Sequence, residues 1–191
     1  MSVNTWIFIA VIMVAIIYAV MIYNALVALK HNVSKAWANI DVLLKQRHDE
    51  LPKLVATCKE YMKFESDTLE KVIQARSQVA NAREQQDIRS LGKAETTLRA
   101  GLGQLFALAE NYPELKSNES FRQLQSRISS LENTIADRRE LYNNAVNINN
   151  VRIEQFPDVI VARKFGFKAA ELLQFSDAEK ADVDVANLFK S

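Results

Sequence analysis

The chain has 191 residues and a formal net charge of +1; 49% of its residues are hydrophobic and 25% are charged. This length accommodates one domain with its own core plus an anchor, but not two full domains. The balanced charge gives no electrostatic attraction to nucleic acid, so nucleic acid is not expected as a partner. With only four glycines and three prolines, the composition favours long helices, and an all-α fold is predicted.

The first predicted element is a membrane-spanning helix. The run WIFIAVIMVAIIYAVMIY, from Trp6 to Tyr23, contains no charged side chain. Its roughly 18 residues, at ~1.5 Å each, span about 27 Å, close to the ~30 Å hydrocarbon core of a bilayer. A cleaved signal peptide is the competing interpretation, but the preceding MSVN has no Lys or Arg and no A-x-A-like site follows. We therefore expect a single-pass anchor over residues 1–23, with Trp6 and Tyr23 at the membrane interfaces.

Positive charge follows the predicted span rather than preceding it. Lys30, His31 and Lys35 come after the span, whereas the N-terminal side offers only the α-amino group. The positive-inside rule therefore predicts that the bulk of the protein faces the cytoplasm.

Beyond the span, apolar residues recur at three-four spacing, which a helical period explains and a strand period does not. A break between the first two helices is predicted near HDELP, where Asp49 can cap a new helix with Pro52 in its first turn. One kinked continuous helix is the alternative, because the apolar phase continues through the break. The stripe comprises Val33, Trp37, Ile40, Leu44, Leu51, Leu54, Cys58, Met62, Leu69, Val72 and Val79.

Two further helices complete the predicted domain. The third is followed by the loop NYPELKSN, and the fourth begins near Asn118 or Ser120 and is closed by Pro157. Short connections make neighbouring helices antiparallel, so residues 24–157 are predicted to form an up-down-up-down, coiled-coil-like helical bundle. The third stripe is Ile88, Leu91, Leu98, Leu102, Leu105 and Tyr112; the fourth is Phe121, Leu124, Ile128, Leu131, Ile135, Arg138, Tyr142, Ala145, Asn149 and Phe156.

The stretch YNNAVNINNVRIEQFP, residues 142–157, carries five asparagines in a helical pattern. Unpaired polar groups on a buried stripe are costly, so we expect Arg138 and Asn149 to have hydrogen-bond partners across the bundle. Asn24, Asn32 and Asn39 on the first helix are the candidate counterparts. Either a structural polar seam or a partner-binding surface near the membrane is predicted, at Asn24, Asn32, Arg138, Tyr142, Asn143 and Asn149.

No residue pattern predicts catalysis, a metal site or a cofactor. The two histidines are far apart, and the single cysteine, Cys58, has no partner for a disulfide or zinc cluster. The pair of Glu95 with Arg99 has the spacing of a solvated helix face. Neither an enzyme nor a small-molecule substrate is expected.

Residues 158–191 are predicted to form an amphipathic segment and an acidic tail. In VIVARKFGFKAAELLQF, residues 159–175, the aromatic side chains supply apolar area and the basic side chains can meet anionic headgroups. The predicted interfacial residues are Arg163, Lys164, Phe165, Phe167 and Lys168. Packing of the aromatic rings over the end of the bundle is the alternative, and Gly166 ends the helix in either case.

Long segments of the chain resemble the LemA family, in the order in which that family has them. They are YNALVALKHNVSKAWANIDVLLKQRHDELPKLV, YMKFESDTL, ENYPELKSNESFRQLQSRISSLENTIADRRELYNNAVNINNVRIEQFP and ARKFGF. The resemblance implies an N-terminal membrane-spanning helix, an antiparallel helical bundle, a bacterial envelope location and no established catalytic activity. The chain departs from the usual pattern of the family at NINNV and in the acidic tail.

Two functions are consistent with this pattern. The first is a scaffold or adaptor at the bacterial inner membrane, with the lipid bilayer and a protein of unknown identity as partners. The second is a self-assembling membrane-bound oligomer with a structural or membrane-shaping role.

Overall fold

The computed structural model describes residues 3–174, and within that range the fold is all-helical, as predicted. Residues 3–174 form six helices: α1 (Val3–Tyr61), α2 (Ser66–Glu84), α3 (Ile88–Ala109), α4 (Pro113–Ser117), α5 (Glu119–Glu154) and α6 (Asp158–Phe165). Residues 167–174 follow α6 without regular secondary structure, and we call them the C-terminal strap. Phe175 and the predicted acidic tail lie outside the described residues.

The predicted break near HDELP is wrong, because α1 runs for 59 residues with Pro52 inside it. Proline has no N–H, so Pro52 cannot donate to the carbonyl of His48 one turn earlier. The Arg76 side chain of α2 occupies that carbonyl instead, with Nε donating to the His48 oxygen at 3.0 Å. A tertiary hydrogen bond thus replaces the missing helical one, and the first interruption comes only after Tyr61.

Local capping explains several other boundaries. The Asp87 carboxylate accepts from the Ser90 N–H at 2.9 Å and starts α3. The Asn118 side chain accepts from the Phe121 N–H at 3.0 Å, which confirms the predicted start of the long C-terminal helix. Gly166 caps α6 with φ of +71°, a left-handed conformation that glycine adopts without steric cost, which confirms the predicted helix end.

The described residues fall into two compact units. The first unit contains residues 3–40 and 137–172, and one of its apolar clusters joins Ile22 and Leu26 of α1 to Ile153, Val161 and Ala162. Phe167 of the strap packs against this cluster.

The second unit contains residues 41–136 together with residues 173–174. Its core is built from the predicted apolar stripes, and Leu44, Leu54, Cys58, Leu91 and Leu105 are at most 1% exposed. Here the backbone of the strap reaches α3: a Cβ placed on Gly92 would stand 2.0 Å from the carbonyl oxygen of Gln174. Only glycine therefore allows this close approach.

The N-terminal part of α1 contrasts with both cores because its apolar side chains are exposed. Phe8 and Val14 are 66% exposed and Met21 is 63% exposed. The helix is long and apolar enough to cross a membrane, by length and composition.

Candidate functional site

A chain of amide contacts on α5 ties the strap to the first unit. Asn149 is 4% exposed, and its Nδ2 donates to Oδ1 of Asn150 at 3.2 Å. Asn150 in turn contacts both backbone groups of Ala170: its Nδ2 donates to the Ala170 oxygen, and its Oδ1 accepts from the Ala170 N–H, each at 2.9 Å. We call Asn149, Asn150 and Tyr142 the polar seam.

Tyr142, which precedes Asn149 on α5, adds a further hydrogen bond to the strap. Its hydroxyl donates to the backbone oxygen of Glu171 at 2.9 Å, while its ring makes an edge contact with Trp37 of α1 at a centroid distance of 5.7 Å. Burial, with the nearby Glu171 charge, raises the pKa of the Tyr142 phenol. The hydroxyl therefore remains a donor at neutral pH.

The predicted partners of the seam are wrong. Asn149 bonds to its neighbour on the same helix, whereas Asn24, Asn32 and Asn39 on α1 are exposed. Arg138 is exposed as well. The buried face of α5 passes from Ile135 to Tyr142, and the position between them on that face is 139, one residue after Arg138.

Three other residues that were named from the sequence are half-buried or exposed. Asn143 is half-buried on α5. Phe156, expected on the apolar stripe, is 82% exposed because it follows the end of α5. Trp6, at the start of the apolar run, is 62% exposed. Asn150, which makes the two strap contacts, was missed because the helical stripe selects Asn149 and gives no information on the strap.

Helix α6 and the strap each contact Tyr23, the last residue of the apolar run. The Tyr23 ring meets Phe165 and Phe167 in edge contacts, with centroid distances of 4.9 and 5.8 Å. Val161 and Ala162 are buried, whereas Ile160 is 58% exposed and Phe165 57% exposed. The rings of Phe165 and Phe167 pack on the first unit, and apolar surface of the segment remains exposed; its contact with a membrane stays a prediction.

Beside these rings lies a cleft of about 290 Å³, which we call the lysine cleft. Its basic side chains are Lys30 of α1 and Lys168 of the strap, and both residues are exposed. Its remaining lining residues are Val33, Asn149, Phe165, Gly166, Phe167 and Ala170. Among residues 3–174, no acidic side chain lines it.

A second cleft of about 220 Å³ lies between α1 and α5 of the first unit, and we call it the interhelical groove. Two large apolar side chains border it with substantial exposure, Leu141 at 53% and Ile148 at 47%. It is lined by Leu29, Asn32, Lys35, Ala36, Asn39, Leu141, Asn144, Ala145 and Ile148.

The second unit contains a buried ionic cluster that sequence reasoning missed. Arg47 of α1 is 1% exposed, and its Nη1 donates to Glu95 at 2.9 Å and to Glu132 at 2.6 Å, while Nη2 also contacts Glu95. Arg99 approaches the other Glu132 oxygen at 3.3 Å. Burial opposes the charge of Arg47, but the charges and hydrogen bonds of Glu95 and Glu132 raise its pKa overall. The cluster connects α1, α3 and α5.

The expectation that Glu95 lies on a solvated face is wrong, since it is 1% exposed. A usable signal was present: Arg47 stands between Leu44 and Leu51 at three-four spacing, and Glu95 stands in the same way between Leu91 and Leu98. Charged residues at two stripe positions indicate a buried ion pair.

Two titratable groups of the second unit have pKa values shifted by burial. Burial raises the pKa of the Cys58 thiol to about 12, so the thiolate is not populated near neutral pH. Burial and the Arg76 charge lower the pKa of His48. Within residues 3–174, no group of three or more His, Cys, Asp or Glu could hold a metal ion.

A continuous helix that begins with an exposed apolar run, followed by helices with buried polar contacts, defines an all-helical protein with a candidate membrane span. The sequence profile of the LemA family matches residues 36–186. The chain belongs to the LemA family.

The chain is also similar to individual proteins. It is 28% identical over 165 residues to Protein LemA of Metamycoplasma hominis, a match that covers 86% of this chain and 74% of that protein. It is 34% identical over 89 residues to Magnetosome protein MamQ 2 of Paramagnetospirillum magneticum and 28% identical over 89 residues to Magnetosome protein MamQ of Magnetospirillum gryphiswaldense. Those matches cover 47% of this chain and 33% of each MamQ protein.

Proposed function

We propose that this protein is a non-enzymatic, single-pass membrane protein that acts as a scaffold or adaptor at the bacterial inner membrane, with its helical domain in the cytoplasm. One observation carries the proposal: α1 is a single helix from Val3 to Tyr61. Its exposed apolar run and the positions that contribute to the cores therefore belong to one element, without a flexible linker. Such a helix would hold a docking surface close to the bilayer.

The contacts of α1 with α5 support an antiparallel bundle as the body of this scaffold. In the second unit, Tyr61 accepts from Asn118 at 3.0 Å and Arg47 donates to Glu132. Going back from 61 to 47 along α1 thus corresponds to going forward from 118 to 132 along α5, and equal steps in opposite directions are the mark of antiparallel helices.

The interhelical groove is the surface on which we propose that a partner helix docks. Leu141 and Ile148 are seven residues apart, so they lie on the same side of α5, and Asn144 lies between them. An apolar anchor repeated after two turns, with a polar residue between, suits a helix laid along the groove.

Anchoring and orientation are tested with a single introduced thiol. Ser129→Cys places a cysteine at an exposed site of α5, while native Cys58 is buried and remains unreactive. In intact spheroplasts, a membrane-impermeant maleimide should not label the variant until the inner membrane is permeabilised. Labelling before permeabilisation would reverse the orientation, and release of the protein by alkaline carbonate would refute the anchor.

Self-assembly is the alternative that the same groove favours, because a second copy also offers the Leu141–Ile148 face. The two functions differ in what occupies the groove after gentle detergent extraction. One foreign protein in fixed stoichiometry supports the adaptor, whereas a large particle of this chain alone supports the oligomer. Ile148→Lys should abolish either assembly, and Asn147→Lys, at an exposed residue that does not line the groove, should leave it intact.

A further inference from the structure

The lysine cleft combines features that fit an anionic group at a bilayer surface. It presents the ammonium groups of Lys30 and Lys168 and the buried amide residue Asn149, with Phe165 and Phe167 along the wall. No carboxylate from the described part of the chain, residues 3–174, lines it. Within residues 3–174, neither Lys30 nor Lys168 has an ion-pair partner, so both charges are available to a ligand.

The cleft also lies at the correct depth if the apolar run of α1 crosses the membrane. Tyr23 ends that run, and its ring contacts the two phenylalanines that line the cleft. Lys30 follows seven residues later, about 10 Å along the helix axis at ~1.5 Å per residue. The headgroup layer extends roughly 5 to 8 Å beyond the hydrocarbon core on each side. The lysine side chain can reach back over that difference, as long basic side chains near membrane ends do.

Helix α6, which contributes Phe165 to the cleft, carries the two chemistries that a phospholipid requires. Phe165 and Ile160 are exposed apolar side chains, and Arg163 and Lys164 are exposed basic ones on the same short helix. The volume of about 290 Å³ is near the lower end of ordinary ligand pockets, so it suits a small headgroup. The space beside Gly166 is open, because a Cβ placed there would meet no atom of residues 3–174 within 4 Å.

We propose that the lysine cleft binds the headgroup of one anionic phospholipid, with Lys30 and Lys168 holding its phosphate and Phe165 and Phe167 facing its glycerol and first acyl carbons. This site rests on the proposed membrane anchoring of α1. It would attach the strap to the bilayer, so that the position of the strap on the first unit depends on the lipid composition.

The test uses the full chain in dodecyl maltoside micelles. Dioleoylphosphatidylglycerol and dioleoylphosphatidylcholine are titrated separately, and lipids retained per chain are counted by native mass spectrometry. The wild type should retain one phosphatidylglycerol selectively. Lys30→Gln/Lys168→Gln should weaken that binding roughly 25-fold, because each lysine near a membrane surface contributes about a factor of five, and Lys168→Gln alone should weaken it about fivefold.

A matched control removes the same charge elsewhere. Lys45 and Lys71 are exposed residues of the second unit, so Lys45→Gln/Lys71→Gln should bind phosphatidylglycerol as the wild type does. Equal binding by the cleft variant and the control would overturn the site. Displacement of the lipid by inorganic phosphate at the same concentration would overturn the lipid assignment.

Failure of the anchor has its own readout. Alkaline carbonate extraction of cell membranes tests whether α1 spans the bilayer, and it does not depend on the two lysines. Retention of the cleft variant in the membrane together with loss of selective binding supports the site, whereas retention with undiminished binding refutes the site and leaves the anchor intact.

Discussion

The two units differ in the partners of their buried polar side chains. In the first unit, neutral side chains of α5 bond to backbone groups of the strap: Asn150 to both groups of Ala170, and Tyr142 to the carbonyl of Glu171. In the second unit, Arg47 bonds to two carboxylates on other helices. The hydrogen bonds of the first unit satisfy backbone groups of the strap, whereas those of the second unit join side chains to one another.

This difference follows from what each unit has to bury. The strap has no regular secondary structure, so its backbone groups lack partners of their own and need side chains to supply them. The helices of the second unit satisfy most of their backbone groups internally, with the His48 carbonyl as an exception, and can place buried charges only where opposite charges meet them. Single substitution of a neutral partner is therefore expected to cost little stability. In the charged cluster, only simultaneous substitution of all partners should avoid a large loss of stability.

The largest effect is expected from Arg47→Met. The change removes the cation that Glu95 and Glu132 share and leaves Arg99 beside Glu132, and breaking one partner of a buried pair costs about 3–5 kcal/mol. The free energy of unfolding of the full chain in detergent, measured by urea titration and circular dichroism, should fall by that amount.

Concerted replacement is the control for this prediction. Arg47→Met/Glu95→Met/Glu132→Met removes all three charges and should recover most of the loss, because apolar packing replaces a buried ion cluster at little cost. A single variant that loses less than about 1 kcal/mol, the range of an exposed ion pair, would show that the cluster is solvated.

The second prediction separates the effect of charge from the effect of an orphaned backbone group. Arg76 is a cation, but one of its targets is the His48 carbonyl that Pro52 leaves free. Arg76→Leu should cost about 1–3 kcal/mol, the range for a buried polar group without a partner. In Pro52→Ala/Arg76→Leu, the new N–H of residue 52 can serve the carbonyl, so most of the cost should disappear in the double-mutant cycle. Strict additivity would refute this role of Arg76.

The course of α1 through Pro52 also shows what the sequence could and could not predict. The apolar stripe through Leu51 and Leu54 was correct, since both residues are at most 1% exposed. The break was wrong because local rules treat the missing N–H of Pro52 as a helix end. The compensating donor, Arg76, lies 28 residues beyond His48 on another helix, and no local pattern in the sequence specifies that contact.

The candidate site divides in the same way. Helical spacing correctly placed Tyr142 and Asn149 on the buried face of α5, and the composition of residues 163–168 placed aromatic and basic side chains together. Their partners could not be predicted, because Ala170, Glu171 and the lysine cleft depend on the path of the strap. That path follows from packing against Tyr23 and the Ile22–Leu26 cluster, which are distant in sequence.

The third prediction tests the neutral side of the comparison. Asn150→Ala removes two hydrogen bonds to Ala170 in a partly buried place and should lower the free energy of unfolding by about 1–2 kcal/mol. Hydrogen exchange at the Ala170 amide should accelerate at the same time. Asn147→Ala on the same helix changes an exposed amide and should stay within about 0.5 kcal/mol of the wild type. Equal effects of the two substitutions would remove the seam as an attachment.

The smallest expected effect is a pH dependence of the second unit that comes from His48. Arg76 Nη2 lies 2.6 Å from His48 Nε2, so the neutral ring accepts a hydrogen bond that a protonated ring could not accept. Burial and the Arg76 charge, together with Arg83, lower the pKa of His48, whereas Asp49 and Glu84 oppose them. In the unfolded chain, the imidazole of His48 has the ordinary histidine pKa of about 6.5.

The sign of this dependence follows from proton linkage. Below pH 6.5 the unfolded state binds a proton that the folded state does not, so the His48 contribution is complete above pH 6.5 and is lost as pH falls toward the lowered pKa. His48→Gln keeps an acceptor but does not titrate, so the melting temperature of the variant should fall less than that of the wild type between pH 7.5 and pH 5. His31→Gln changes an exposed ring and should leave the wild-type slope unaltered. If His48→Gln also retains that slope, the acid sensitivity arises from other groups, and the contact of His48 with Arg76 acts only through geometry.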